Sequence, residues 1–328
     1  MIVAVTGATG LVGSHVVRAL LRRGLKVRAL VRRPDRLDVL SDCLSSVEFV
    51  PGDIEDPEAL RALLREADAA VHAAALVAFH PRWRAQMRRV NVRGTACLVD
   101  VALQTGLKRL VHLSSVAALG LPEDEEPIDG ALRFGFPAWS SYYGYTKYLA
   151  ELEVYRGIAE GLPAVLLNPA LVFGPGRIRE GTGRLFWALH RGWIRCYPPG
   201  RVASVDARDV AEAVCLALEK GTVGRRYVLS AQEQSFRELL AEIAHALGRP
   251  VPERPIGAHA LRWLGWIGEA WGWISPKPVG LTREIAQAAC RTPRYDVRMA
   301  QEELGVVFRP FSETAADTVA HYRTTGQL

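Results

Sequence analysis

The sequence predicts an α/β protein: a Rossmann-type, doubly wound parallel sheet with a smaller, mainly helical C-terminal portion. Three observations carry this prediction. Short β-branched runs alternate with amphipathic stretches through the first half of the chain, the rhythm of right-handed βαβ units. The first run opens directly into a glycine-rich turn, the place where such folds hold phosphate. From Ser235 onward the periodicity is mostly helical.

Element by element, Val3–Val5 is the first strand, and an amphipathic stretch from Leu11 to Arg23 follows, closed by Gly24 as a left-handed glycine closes a helix. Strands are expected at Lys26–Val31, Val47–Val50, Ala69–His72, Arg109–Leu113 and Ala164–Leu167. Helices are expected at Pro57–Arg65, with Asp56 as its N-cap, at Trp83–Thr105, ended by Gly106, and at Tyr142–Ala159. After Pro169 the rhythm loosens. Asp209–Glu219 reads as a helix and Arg226–Leu229 as a strand, both returning to the main sheet. The remaining helices are Phe236–Leu247, His259–Trp273, Thr282–Ala289, Val297–Leu304 and Glu313–Tyr322. This gives a core of residues 1–170, rejoined by 205–229. A substrate-binding portion would comprise 171–204 and 230–328.

With 328 residues and 49% of them hydrophobic, the chain can bury a substantial core. That excludes a disordered or collagen-like protein. Cys43, Cys97, Cys196, Cys215 and Cys290 are odd in number and never in C-x-x-C spacing, which reads as reduced thiols in the cytoplasm. Met1 runs straight into strand pattern without a basic leader, and no stretch reaches the ~18 apolar residues of a membrane span. The net charge of +6 comes from 36 Arg and 5 Lys, scattered along the chain. A nucleic-acid binder concentrates such charge, so no nucleic-acid partner is expected. No metal site is expected either.

The first turn reads Thr6-Gly7-Ala8-Thr9-Gly10-Leu11-Val12-Gly13. Its G-x-x-G-x-x-G spacing is one residue wider than the familiar dinucleotide fingerprint, with the same physics. Glycines turn the backbone sharply, and the free N–H groups of the helix start face a pyrophosphate. The second strand ends Val31-Arg32-Arg33, where NAD enzymes place an acid on the ribose 2′-hydroxyl. Two guanidiniums suit a 2′-phosphate, although arginines often end strands in an Arg-rich chain. The reading is NADP, with NAD possible. Asp53 and Ile54 follow the third strand, where the carboxylate can accept a hydrogen bond from the adenine amino group or simply cap a turn.

Tyr143 and Lys147 stand four apart and share one helical face. A neighbouring ammonium favours the phenolate and is expected to lower the phenol pKa. Tyr142 and Tyr145 have no lysine at that spacing. Ser114 and Ser115 end the fifth strand, at the crevice edge of an open α/β sheet.

Together with Gly52-Asp53, His72-Ala73-Ala74-Ala75 and Asn91-Val92-Arg93-Gly94-Thr95, these motifs occur in the order found in extended short-chain dehydrogenases/reductases. The chain resembles that family over nearly its whole length. The resemblance implies Ser115, Tyr143 and Lys147 as a catalytic triad, with Asn91 supporting the active-site helix. It implies Lys147 on the nicotinamide ribose, and Ala73, Ala74 and Ala75 lining the cofactor groove beside Ser114. It implies Asn168-Pro169-Ala170-Leu171-Val172 closing over the nicotinamide.

Val116-Ala117 after Ser115 lacks the Asp-Glu pair of sugar-nucleotide dehydratases. Asn168 and Leu171 depart from the R-x-x-N-V-Y-G-P pattern of nucleotide-sugar enzymes. Val205-Asp206-Ala207-Arg208-Asp209-Val210-Ala211 and Leu281-Thr282-Arg283-Glu284 resemble instead the dihydroflavonol-reductase and 3β-hydroxysteroid-dehydrogenase branch. The N-P-x-x-x-x-G-P turn is shared with hopanoid-associated sugar epimerases. The expectation is an NADP-preferring oxidoreductase acting on a secondary alcohol or ketone of a bulky, apolar small molecule. A sugar epimerase with retained NAD is the alternative, and a non-catalytic NADP sensor is disfavoured by Tyr143 and Lys147. A homodimer through the helices around Trp83–Thr105 and Tyr142–Ala159 is expected from the family.

Two further segments stand out. Trp263, Trp266, Trp271 and Trp273 crowd into eleven residues. They read first as helix packing between the two portions, and second as an apolar wall or lid for a lipophilic ring system, with contact to a membrane surface as an addition to that second reading. Glu123-Asp124-Glu125-Glu126 reads as a solvated loop near the crevice mouth.

Overall fold

The computed structural model describes residues 1–120, 127–130, 141–275 and 279–328; the acidic run at 123–126 lies outside them. In chain order the strands are β1 (Ile2–Thr6), β2 (Lys26–Val31), β3 (Val47–Pro51), β4 (Ala69–His72), β5 (Leu110–Leu113), β6 (Ala164–Pro169), β7 (Leu171–Phe173), β8 (Cys196–Tyr197), β9 (Arg201–Asp206), β10 (Arg226–Leu229), β11 (Gln232–Ser235) and β12 (Arg254–Pro255). The main sheet has seven strands in the order β10-β6-β5-β4-β1-β2-β3, all parallel. Strand order reverses at β1, so the glycine turn after β1 opens at the topological switch point.

Helices cover both faces, as a parallel sheet requires. They are α1 (Leu11–Arg22), α2 (Pro57–Leu64), α3 (Arg84–Met87), α4 (Gly94–Gln104), α5 (Tyr142–Ala159), α6 (Gly183–His190), α7 (Ala207–Lys220), α8 (Phe236–Leu247), α9 (Ala258–Ile274), α10 (Arg283–Ala288), α11 (Arg298–Glu302) and α12 (Phe311–Thr324). The strand residues sort by alternation. Val3, Val5, Val27, Ala29 and Val31 pack on one side with Val16, Leu20 and Val214 of α1 and α7. Ala4, Leu30 and Ala70 face the other way, toward Leu60, Val99 and Val154 of α2, α4 and α5. Asp56 caps α2, accepting from Glu58 N at 3.0 Å.

The expected helix at Trp83–Thr105 is one path in several pitches. A 3₁₀ turn at Pro81–Trp83 leads into α3, a π-turn over Arg88–Arg93, and then α4. Such π-turns concentrate at functional sites, and this one carries Asn91. The C-terminal portion is less purely helical than its periodicity suggests. It also holds a three-stranded sheet, β11-β9-β7, and the pair β12-β8. β7, β8 and β12 are only two or three residues long and β11 is polar throughout, Gln-Glu-Gln-Ser, so none of them shows an apolar strand run of ordinary length. A separate core of Phe173, Phe186, Leu239, Ile243, Phe311 and Tyr322 holds this part together. Phe173 meets Phe311 edge-on at 4.9 Å, a pair worth about 1 kcal/mol beyond burial.

The V-D-A-R-D-V-A segment is an anchor rather than a ligand site. Asp206 caps α7 through Arg208 N at 2.7 Å and accepts from Thr314 at 2.8 Å. Asp209 accepts from Arg309 N at 2.7 Å. The two carboxylates thereby tie α7 to the chain end. All five cysteines are free thiols. Among the described residues, no helix is long and apolar enough to cross a membrane, and no cluster of three metal-ligating side chains occurs.

Candidate active site

The glycine turn is shaped by close approaches. Gly7 has φ +74°, and a Cβ there would meet Ala73 C and Ala74 N at 2.6 Å. A Cβ on Gly13 would fall 2.0 Å from Gly7 O, so any side chain would push the helix off the turn. Gly10 differs: it is exposed, and the nearest atom to its Cβ position is Gly7 O at 3.3 Å. It therefore leaves the mouth of the turn open. Gly10 caps α1 without a side-chain hydrogen bond, so the N–H groups of Leu11, Val12 and Gly13 point outward from a positive helix end. Thr9 sits beside them, its carbonyl accepting from Arg177 Nη1 at 3.3 Å.

At the end of β2, Arg32 and Arg33 are exposed. Arg32 Nη1 stands 3.5 Å from Asp53 Oδ2, leaving both groups within reach of a ligand. Asp53 Oδ1 also accepts from Glu55 N at 3.2 Å, so the turn-capping role is real. Ile54 is buried, and a Cβ on Gly94 would lie 2.7 Å from its Cγ2. The Ile54 side chain is thus core. Ala73 and Ala74 are half-buried and Ala75 exposed, lining the opposite wall.

The chemistry-bearing residues converge at the carboxyl ends of β5 and β6. Ser115 Oγ accepts from Ala117 N at 3.2 Å and lies near enough to the Tyr143 phenol to favour its ionised form. Tyr143 comes from the first turn of α5, which Ser141 caps through Gly144 N at 3.1 Å. A Cβ on Gly144 would lie 2.5 Å from Ala117 O; the missing side chain lets the helix start press against the segment after Ser115. Lys147 is fully buried one turn on and donates to Leu113 O at 2.8 Å. Its ammonium also stands 3.5 Å from His112 Nε2. Burial lowers Lys147 to about 8, opposed by the nearby Glu151 charge.

The expected lowering of the phenol is reversed. Burial pushes Tyr143 up to about 12, and the neighbouring Ser115 hydroxyl only partly offsets it. The physical reason is that Lys147 directs its ammonium to the end of β5, so desolvation of the phenolate dominates. Ser114 Oγ is buried with no hydrogen-bond partner, the kind of orphan that a ligand satisfies.

Asn91 holds this arrangement from below. Its Oδ1 accepts from Leu76 N at 2.7 Å, and its Nδ2 donates to Leu76 O and to Thr146 Oγ1, both at 3.0 Å. Thr146 Oγ1 donates in turn to Tyr143 O at 2.8 Å. The network continues inward. Thr95 Oγ1 donates to Asn91 O at 2.6 Å, so it must accept from His72 Nε2 at 2.9 Å. His72 Nδ1 then accepts from Thr6 Oγ1 at 2.8 Å, leaving that oxygen to accept from Ala74 N at 3.3 Å. Every proton has one place, and burial keeps His72 neutral, lowering it to about 3.

Asn168 needs correction. It is fully buried, and its Nδ2 donates to Glu151 Oε1 at 2.6 Å and to Ser115 O at 3.0 Å. Its side chain is therefore spent on holding Ser115 to Glu151 of α5 and is not free to close over a ligand. Pro169 is likewise buried in β6. Leu171 is 43% exposed, and Val172 is half-buried against the main core.

The sequence reading missed Glu151, which pairs with Arg226 Nη1 at 3.1 Å in full burial. The signal was present: Tyr143, Lys147 and Glu151 follow at i, i+4 and i+8 on one helical stripe. It also missed Phe79, whose ring meets Tyr143 edge-on at 6.1 Å, and His112. Neither carries a spacing that marks it.

The model of the NAD dependent epimerase/dehydratase family matches residues 3–230. Sterol demethylase protein B of Methylococcus capsulatus is 30% identical over 343 residues, covering all of both chains. Cinnamoyl-CoA reductase 1 of Arabidopsis thaliana is 31% identical over 274 residues, covering 77% of this chain and 76% of its own. Among solved structures, gox2253 superposes with a TM-score of 0.85 at 31% identity, covering 100% and 99% of the two chains. The Bordetella bronchiseptica enzyme WbmH, solved with NAD+, shares the fold at TM-score 0.76 and 23% identity, with 99% of each chain covered. The motifs identify an extended short-chain dehydrogenase/reductase, and the chain belongs to the NAD-dependent epimerase/dehydratase family.

Proposed function

We propose that the protein is an NADP-preferring oxidoreductase that interconverts a ketone and a secondary alcohol on a bulky, apolar molecule. The observation that carries this reading is the convergence of Ser115 and Tyr143, with Gly144 pressed against the segment after Ser115, beside buried Lys147 and next to the open mouth of the glycine turn. The donor set fits a dinucleotide. The N–H groups after Gly10 and the Thr9 turn face a pyrophosphate, Arg32 and Arg33 a 2′-phosphate, and Asp53 the adenine. The orphaned Ser114 Oγ, with Leu171 and Val172, faces the nicotinamide end. The bound nicotinamide supplies or takes up a hydride at C4.

In our reading Ser115 orients the substrate oxygen by hydrogen bond. Tyr143 transfers its phenolic proton to that oxygen in reduction and accepts it back in oxidation. Burial holds the phenol in its protonated form, the form that donates to a substrate oxygen in reduction. Lys147 offers positive charge beneath the transfer, where a dry site strengthens it. Asn91 and Asn168 are positioning residues, holding α5 and Ser115. Residues 1–170 with 205–229 form the cofactor core of this proposal, and 171–204 with 230–328 shape the substrate side.

The apolar substrate class is supported by the sterol and cinnamoyl names of the two relatives. The second reading, an epimerase with retained NAD, is supported by the family name itself. The five free thiols support a cytoplasmic setting, and α4 with α5 is the proposed homodimer face. Tyr143→Phe tests the mechanism. Turnover should fall at least about a thousandfold with cofactor affinity unchanged; substantial residual turnover would remove Tyr143 from its role.

A further inference from the structure

Helix α9 is built inside out. Its buried positions are Leu261, Gly265, Glu269 and Gly272, whereas Trp263, Trp266, Trp271, Trp273, Ile267 and Ile274 are 57–79% exposed. Among the described residues, the expected packing between the two portions is therefore made by the tryptophans only where Trp273 meets His80 edge-on at 5.1 Å. Glycines make the rest. A Cβ would lie 2.9 Å from Ala286 Cβ at Gly265, 2.2 Å from Leu281 O at Gly268, and 2.4 Å from His80 Nε2 at Gly272. An ordinary amphipathic helix does the reverse, and three interior glycines each weaken the helix. The outward side chains leave roughly 800 Å² of apolar surface uncovered, more than the largest patch of a typical monomer.

Charge says what covers it. The exposed charge along α9 is Arg262. Its one acid, Glu269, is buried and paired with Arg283 Nη2 at 2.7 Å. Arg283 lies 4.0 Å over the Trp266 ring. Glu284 is mostly buried and paired with Arg84 Nη2 at 3.3 Å. Arg82 donates to Gly272 O at 2.7 Å and Ser275 O at 2.8 Å, at the far end. The apolar ridge is thus rimmed by guanidiniums, with its neighbouring acids withdrawn inward. A second copy would bring like charges to the same seam. An anionic lipid surface meets both features, because tryptophan rings settle at the headgroup level and arginines meet phosphates there.

We propose that α9 is a monotopic membrane-docking helix that lies flat on an anionic phospholipid surface. At 17 residues it runs about 25 Å along the interface. Its underside is joined to the active site. His80 Nε2 hydrogen-bonds Glu269 O at 2.9 Å, and the preceding residue, Phe79, meets Tyr143. Docking sets the edge of the catalytic cleft against the bilayer, the side from which a lipid-dissolved substrate arrives. The docking inference rests on the exposed face alone. Vesicle binding and turnover of a given substrate therefore fail independently.

The test is flotation of the full chain with phosphatidylcholine vesicles, with and without one-third phosphatidylglycerol. We expect partition onto the anionic vesicles, at least about tenfold weaker onto the neutral ones. Trp263→Ser with Trp271→Ser should lower partition about tenfold or more at unchanged unfolding temperature. Arg262→Glu should weaken it mainly at low salt. In the unaltered protein, lipids brominated near the headgroup should quench tryptophan emission, a readout that needs no variant. No flotation and no quenching with anionic vesicles would overturn the proposal. So would a solution dimer that the double tryptophan variant converts to monomer, which would assign the face to a second copy.

Discussion

Replacing Asn91 by Ala removes three hydrogen bonds at a fully buried position, those to Leu76 N, Leu76 O and Thr146 Oγ1. Thr146 keeps its bond to Tyr143 O, whereas the Leu76 N–H and carbonyl lose the side-chain partner that pins them. Lost hydrogen bonds and stranded polar groups of this kind cost about 1–3 kcal/mol each and overlap, so a net loss of about 2–4 kcal/mol is expected. For a chain of this size that lowers the unfolding temperature by roughly 3–6 °C. The catalytic effect should be separate. With α5 and the Leu76–Phe79 strip no longer clamped together, kcat should fall about a hundredfold while cofactor affinity, set at the glycine turn, holds. Thr146→Val supplies the cross-check. If the Asn91–Thr146 contact carries the coupling, the double variant should cost about 1 kcal/mol less than the sum of the singles. An Asn91→Ala protein that unfolds at the unaltered temperature, or folds with normal kcat, would refute this account of α5.

Three further outcomes follow from the same site. Glu151→Gln keeps an acceptor for Asn168 but leaves the buried Arg226 without its carboxylate, a loss of about 3 kcal/mol readable by thermal unfolding. It also removes the charge that raises Lys147, so the Lys147 pKa, followed by NMR, should move down; an upward shift would contradict the assignment. His72 titrates at about 3 when folded against 6.5 free, so the unfolded chain binds the extra proton. Its contribution is complete above pH 6.5 and is lost as pH falls toward 3, about 2 kcal/mol by pH 5. Denaturant unfolding of His72→Gln should show a correspondingly flatter loss between pH 6.5 and 5 than the parent chain.

The parallel core was legible because its strands are short apolar runs alternating with amphipathic helices, and the first glycine motif sits at an element boundary. Tyr143, Lys147, Ser115 and Asn91 were legible through spacing and resemblance, and the structure brings all four together. Less was visible where contacts are long-range. Glu151 meets Arg226 across 75 residues, and Asn168 reaches Ser115 O across 53, so their support of the site appears only in three dimensions. The phenol was misjudged because spacing shows that Lys147 is near Tyr143, not where its ammonium points. In α9 the tryptophans announced burial by composition, but Gly265, Gly268 and Gly272 occupy the inner face, and no propensity rule would place the largest residues outside.

The central claim is a redox enzyme that exchanges NADPH freely, and nucleotide analysis of the purified protein tests it most directly. We would release any bound nicotinamide, identify it, and titrate NADPH and NADH against the parent chain and Arg33→Ala. The account predicts exchange with tighter binding of NADPH. That preference should shrink roughly tenfold or more when Arg33 is removed. NAD that co-purifies, resists exchange and is indifferent to Arg33 would contradict it and move the protein to the epimerase reading.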